Sequence, residues 1–169
     1  MTLSLQVRNK AVSYDARHEL MINRLCNNTT KDDKSAIYKV FTDYKDLMVF
    51  AAMVGRKYDK FKPCGKNKTK SIALYTYEAR SNSTDAQEHQ HVMMYLLQLS
   101  KNNQDFTDLK EENIDKVIAT FEGYCGGGLD MMDKWLARSA FNPEVLLTEM
   151  INILPEEYPN GNTDIKNPF

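Results

Sequence analysis

A predominantly α-helical α+β fold, about five or six helices around a minor sheet of two or three strands, is predicted by three features of the sequence. Apolar residues recur at helical spacing through most of the chain, period-two alternation is confined to two short strips, and glycine and proline together supply only 12 of the 169 residues. Such a length buries a core without disulfide support, so residues 1–155 are read as a single domain. Residues 156–169, polar and carrying Pro159, Gly161 and Pro168, are read as a flexible tail.

The first strip alternates Leu3, Leu5 and Val7 with Ser4, Gln6 and Arg8, the pattern of a strand with one buried face. From Asp15 to Asn27, Ala16, Leu20, Leu25 and Cys26 recur between charged residues, which predicts a first amphipathic helix. Thr42 or Asp43 can cap the next helix, whose positions Leu47, Phe50, Ala51, Val54 and Tyr58 follow helical offsets, with Gly55 ending the apolar run. The second strip, Ser71–Glu78, alternates Ile72, Leu74 and Thr76 with Ala73, Tyr75 and Tyr77 and suits a strand paired with the first.

Thr84 and Gln87 have capping-box spacing and open a helix over residues 85–100. Ile114, Val117, Ile118, Phe121 and Cys125 form the cleanest amphipathic stripe in the chain. Gly126, Gly127 and Gly128 follow, and since each glycine inside a helix costs about 1 kcal/mol relative to alanine, a break is expected there. A new helix resumes through Leu129, Met132, Trp135 and Leu136. Asn142 and Pro143 start the last one, striped by Leu146, Leu147, Met150, Ile151 and Leu154.

Composition excludes several classes. The 22 basic and 23 acidic residues leave a net charge of −1, and 42% of residues are hydrophobic, so the chain is neither supercharged nor compositionally disordered. The longest apolar run, Leu47–Val54, is far shorter than the roughly 20 residues of a membrane span. No membrane contact is expected, and the polar start of the chain predicts a cytoplasmic protein without a signal peptide. Cys26, Cys64 and Cys125 lack disulfide-framework or zinc spacing and read as free thiols.

Charge is nonetheless unevenly placed. Residues 55–70 hold Arg56, Lys57, Lys60, Lys62, Lys66, Lys68 and Lys70 against the single acid Asp59, a local +6 that leaves −7 for the rest of the chain. Such a segment can neutralise phosphates and release counterions, and Tyr58 and Phe61 can stack on an exposed base. The same cations also suit an acidic protein partner, or a solvated loop that complements a helix dipole.

Other constellations are weaker. The glycine triplet lacks the Gly-Lys-Ser/Thr of a phosphate loop and reads instead as a joint presenting Phe121, Tyr124, Leu129 and Trp135 for packing or docking. His89 and His91, two apart on a helix, point away from each other and do not share a metal. Asp59 with Glu78 and either histidine would be the centre of a metal-dependent nuclease, although Arg80 stands where that chemistry uses lysine. No nucleophile elbow is present. No catalytic residue, metal or cofactor is therefore assigned.

Two segments, Phe41–Lys57 and Phe121–Leu129, together resemble the small accessory proteins encoded beside Dnd DNA-phosphorothioation systems, the family called Dnd system-associated protein four. The likeness spans Val7 to Ser139, with the helix from Pro143 and the tail as additions; Cys125 before three glycines departs from the family's usual pattern. A second likeness is to the small third component of Lamassu-type systems. What these resemblances imply is a non-catalytic accessory or regulatory subunit of a prokaryotic DNA defence complex. The implied partners are an SMC-like ATPase, an effector nuclease and double-stranded DNA, met through the seven cations. A metal-dependent nuclease and a stand-alone DNA-binding regulator are the alternatives.

Overall fold

The computed structural model describes residues 4–26, 39–65, 69–78, 90–101 and 106–152. It is predominantly helical with one small sheet, as the sequence predicts. In chain order the elements are α1 (Leu5–Arg8), β1 (Ala11–Asp15), α2 (Glu19–Leu25), α3 (Tyr44–Lys57), β2 (Thr69–Ala73), α4 (His91–Lys101), α5 (Ile114–Arg138) and α6 (Glu144–Ile151), with short 3-10 turns between them. The 25-residue α5 is the axis on which α3, α4, α6 and β1 all pack. The capping box Thr84–Gln87 and the polar tail lie outside the described residues.

The unbroken course of α5 corrects the expected break at Gly126–Gly128. Its buried stripe keeps one phase through Phe121, Cys125, Gly128, Met132 and Leu136. None of the described glycines has a positive φ, so what matters here is the missing Cβ and not backbone freedom. A Cβ on Gly128 would overlap the carbonyl oxygen of Ala51 in α3, and one on Gly55 would overlap the carbonyl oxygen of Tyr124 in α5. Glycine and alanine thus line both sides of the α3–α5 crossing, and backbone meets backbone. Gly55 accordingly lies inside α3 instead of ending it.

The segment after α3 is docked by the same device. Tyr58 ends the helix, Asp59 takes φ 50°, Lys60 N–H donates to Gly55 O at 2.8 Å and Asp59 N–H to Arg56 O at 3.2 Å, the paired bonds of a left-handed helix cap. Lys62 N–H then donates to Gly123 O at 2.7 Å. A Cβ on Gly127 would strike the Lys60 carbonyl, and one on Gly126 would stand 2.5 Å from the Lys62 carbonyl. Because the αL cap favours glycine, Asp59→Gly is expected to raise stability by about 0.5–1 kcal/mol, read as a rise in the denaturation midpoint.

The sheet departs from expectation at both ends. Leu5–Arg8 is a helical turn whose Leu5 is exposed while Val7 is buried, so the alternation of the first strip is not used. The strand lies just beyond it, where Val12 and Tyr14 face the core; β1 pairs antiparallel with β2 in the register Ser13↔Ser71. The second strip stops at Ala73. A 3-10 turn over Leu74–Tyr77 then sends both Leu74 and Tyr77 inward, held by Thr76 Oγ1 donating to Ala73 O at 2.7 Å.

Elsewhere the outlines agree. Asp43 caps α3, with Asp46 Oδ2 accepting its N–H at 3.1 Å. In α2 the buried face is Met21, Ile22 and Leu25, and Leu20 points outward. Asn142 Oδ1 accepts the Glu144 N–H at 3.0 Å to start α6, but only Leu146 of that helix is fully buried, and Leu147 and Ile151 are exposed.

Candidate interaction surface

The basic segment forms a corner where the C-terminal ends of α3 and α4 meet. Arg56 Nε donates to Ser100 Oγ at 2.9 Å, Lys101 Nζ sits 3.8 Å above the centre of the Phe61 ring, and Lys57 and Lys60 are exposed. Lys101 belongs to this corner although it is 41 residues from Lys60 in sequence; a basic residue in the last turn of α4 is its only signal. Two cations are held by acids: Lys62 by Asp130 at 2.7 Å and Lys70 by Glu19 at 3.3 Å. Lys70 and Glu19 are both about half exposed, a surface pair exchanged at little cost, about 0–1 kcal/mol, whereas Lys62 belongs to the Asp130 network and is committed there. Lys66 and Lys68 lie outside the described residues.

The two aromatic residues of the segment are engaged with neighbouring rings, although Phe61 stays 40% exposed. Tyr58 packs edge-on against Trp135 at 5.6 Å, and Phe61 packs edge-on against Tyr124 at 5.1 Å beneath Lys101. They build the corner. Likewise Phe121, Tyr124, Leu129 and Trp135 are core residues, at most 6% exposed, so the glycine stretch packs them and presents none of them.

Asp130 is an ionic hub. Its carboxylate meets the Arg17 guanidinium, Lys62 Nζ, and His18 Nε2 at 3.0 Å. Burial alone would raise the Asp130 pKa, but the Lys62 hydrogen bond and the charges of Arg17, Lys62 and His18 outweigh it and hold the carboxyl below its ordinary value. His18 is buried, and that burial, reinforced by Arg17, lowers its pKa, while Asp130 works in the opposite direction. Arg17 Nε also lies 3.1 Å from His18 Nε2. One nitrogen cannot donate to Asp130 and accept from Arg17 at once, and Arg17 already reaches Asp130 through Nη2, so the His18 proton is placed on Nε2 facing the carboxylate.

These shifts set a pH dependence. Both groups have folded pKa values below their unfolded ones, so their contribution is present at neutral pH. That of His18 fades as pH falls below 6.5 through its lowered value, and that of Asp130 as pH falls below 3.8. Asp130→Asn is expected to lower the His18 pKa further, because the charge that raises it is gone; imidazole NMR titration of both proteins checks this, and an unchanged or higher value would contradict the placement.

Beside the hub, Tyr14, His18, Cys64, Glu122 and Gly126 line a cleft of about 10 Å³, too small for a nucleotide or metabolite. Glu122 accepts the Ser13 N–H there at 2.6 Å, and burial raises its pKa. The nuclease candidates are engaged in structure. Glu78 pairs with Arg8 at 2.8 Å, Asp59 forms the helix cap, and His91 is buried with Nδ1 3.3 Å from Tyr77 O; His89 lies outside the described residues. Among the described residues no three His, Cys, Asp or Glu are grouped to hold a metal ion, and no helix is long and apolar enough to cross a membrane.

Fold and surface together define a small, mainly helical α+β domain whose cationic corner is locked to its central helix. The family model described as DNA sulphur modification system-associated protein 4 matches residues 16–167. The chain belongs to this family, named for its association with the Dnd DNA modification system. The match runs through α6 and the tail, so these are part of the family pattern and not additions to it. No curated protein and no solved structure shows significant similarity to the chain, and the likeness to the Lamassu component finds no support in these matches.

Proposed function

We propose that this protein is a non-catalytic accessory subunit of a Dnd-linked DNA defence complex, laying its basic corner on the phosphate backbone of double-stranded DNA while its remaining surface meets other defence subunits, an SMC-like ATPase or an effector nuclease. The observation that carries this reading is the fixed placement of Lys57 and Lys60. The left-handed cap at Asp59 and the Lys62–Gly123 bond hold the segment on α5, so these cations are presented without the ordering cost a free loop would incur. Phosphate contact positions a protein without reading sequence, which suits a subunit that leaves recognition to its partners.

The test is a titration of labelled duplex DNA against the purified chain and against a variant with Lys57, Lys60, Lys66 and Lys68 all changed to Glu. Affinity is expected to fall by about a hundredfold or more at 100 mM salt; undiminished binding would remove the corner from the mechanism. If neither protein binds DNA but the wild-type chain alone retains a defence subunit, the cations serve an acidic protein partner. Incubation with DNA and magnesium or manganese separates the nuclease alternative. Intact DNA is expected, and cleavage lost in Asp59→Asn or Glu78→Gln would replace the present reading.

A further inference from the structure

A groove of about 470 Å³ opens between α3 and α4, walled by Met53, Arg56 and Lys57 on one side and Met93, Leu96, Leu97 and Ser100 on the other. It exists because both helices pack on α5 and make little contact with each other. Arg56 closes one end by reaching across to Ser100, Nε to Oγ at 2.9 Å and Nη2 to the carbonyl at 3.2 Å. Met53 is 41% exposed, Leu96 50%, and Val92, one turn before Leu96, 39%. The floor is apolar, the charged wall residues are both cations, and no acid is among the described residues that line it.

We propose that this groove docks an amphipathic helix with acidic flanks, contributed by another protein of the complex. The exposed Met53 and Leu96 side chains face each other across this trough, and an apolar trough between two helices receives anchors at i, i+3 or i+4, and i+7 of a helix laid along it. Unbranched methionines on both walls adapt to such anchors. The occupant's charge follows from Arg56 and Lys57 at the rim and Lys101 just beyond Ser100. Nucleic acid does not suit the floor, which offers phosphate no donors. A second copy of this chain does not suit the rim, since a two-fold contact through the groove sets Arg56 and Lys57 against their own counterparts.

This inference rests on the accessory-subunit reading, but its test separates the two. Full-length protein with labelled methionine methyl groups is titrated with a synthetic helical peptide of about 14 residues, leucine at i, i+4, i+7 and i+11 and glutamate elsewhere, and with its lysine-for-glutamate counterpart. The acidic peptide is expected to shift Met53 and Met93 while the core residues Met48 and Met132 stay in place. Leu96→Ser, an uncharged change at an exposed position that leaves the thermal melt unchanged, is expected to weaken peptide binding about tenfold and leave DNA affinity intact; Lys60→Glu does the reverse. Absence of shifts at Met53 and Met93, or equal binding of the basic peptide, overturns the proposal. A concentration-dependent dimer abolished by Leu96→Ser overturns it in favour of a second copy. Peptide binding without any DNA binding leaves the groove standing and removes the DNA reading alone.

Discussion

Gly128→Ala is expected to destabilise the protein by about 3 kcal/mol or more, although alanine is the better helix former by about 1 kcal/mol. The sign is decided by what the new methyl meets. In most helices it would meet solvent or the end of a side chain that rotates away; here it would overlap the Ala51 carbonyl oxygen and stand 3.0 Å from Gly55 N. Neither atom moves without moving α3. Gly55→Ala meets the same obstacle from the other side, at the Tyr124 carbonyl, and is expected to behave alike. Gly65, where nothing lies within 4 Å of an added Cβ, is the control. At about 2–4 °C per kcal/mol for a chain of this size, Gly128→Ala should lower Tm by roughly 10 °C, while Gly65→Ala should leave it within about 2 °C. A Gly128→Ala protein as stable as wild type would mean that the helices cross at a greater distance.

Phe121→Ala is expected to cost about 3–5 kcal/mol. The Phe121 ring is fully buried and packs edge-on against Tyr77 at 5.9 Å, another side chain with no exposure. Truncation leaves a cavity walled by a helix and a 3-10 turn that are each held elsewhere, so little collapse can offset the lost contacts. Against a total stability of about 5–15 kcal/mol, the loss is large and appears as a lower urea midpoint. The experiment also separates packing from docking: a residue that served a partner would leave the unbound chain's stability unchanged.

The helical content of the chain is readable from its apolar spacing, and α3 and α5 show why. Their stripes are long and in phase, and Asp43 provides a cap. Gly126–Gly128 misleads because helix propensity is a property of the isolated chain, whereas the cost of three glycines is offset here by close approach to α3 and to Lys60 and Lys62. The stripe Phe121, Cys125, Gly128, Met132 is continuous across the triplet, and that continuity is the better guide. The first strand is misplaced because Leu3–Val7 and Val12–Tyr14 alternate equally well; only pairing with β2 distinguishes them.

For the surface, the basic segment is evident in the sequence as a charge count, but its partners are not. Asp130 lies 68 residues from Lys62, and although it stands beside the glycine triplet, no spacing in the sequence pairs it with Lys62, Arg17 or His18. The groove is hidden for a related reason. Leu96 and Met53 read as ordinary members of helical stripes, and their exposure arises because α3 and α4 each pack mainly on α5 and little on each other, a tertiary property.

The proposed function requires the corner at the end of α3 to be a contact surface for DNA, and the salt dependence of duplex affinity tests this most directly. For the wild-type chain log K is expected to fall linearly with log salt concentration, and for Lys57→Glu/Lys60→Glu the slope should be shallower by about 2, since each lost phosphate contact removes about 0.9. Parallel lines for the two proteins would show that these lysines touch no phosphate and would contradict the account.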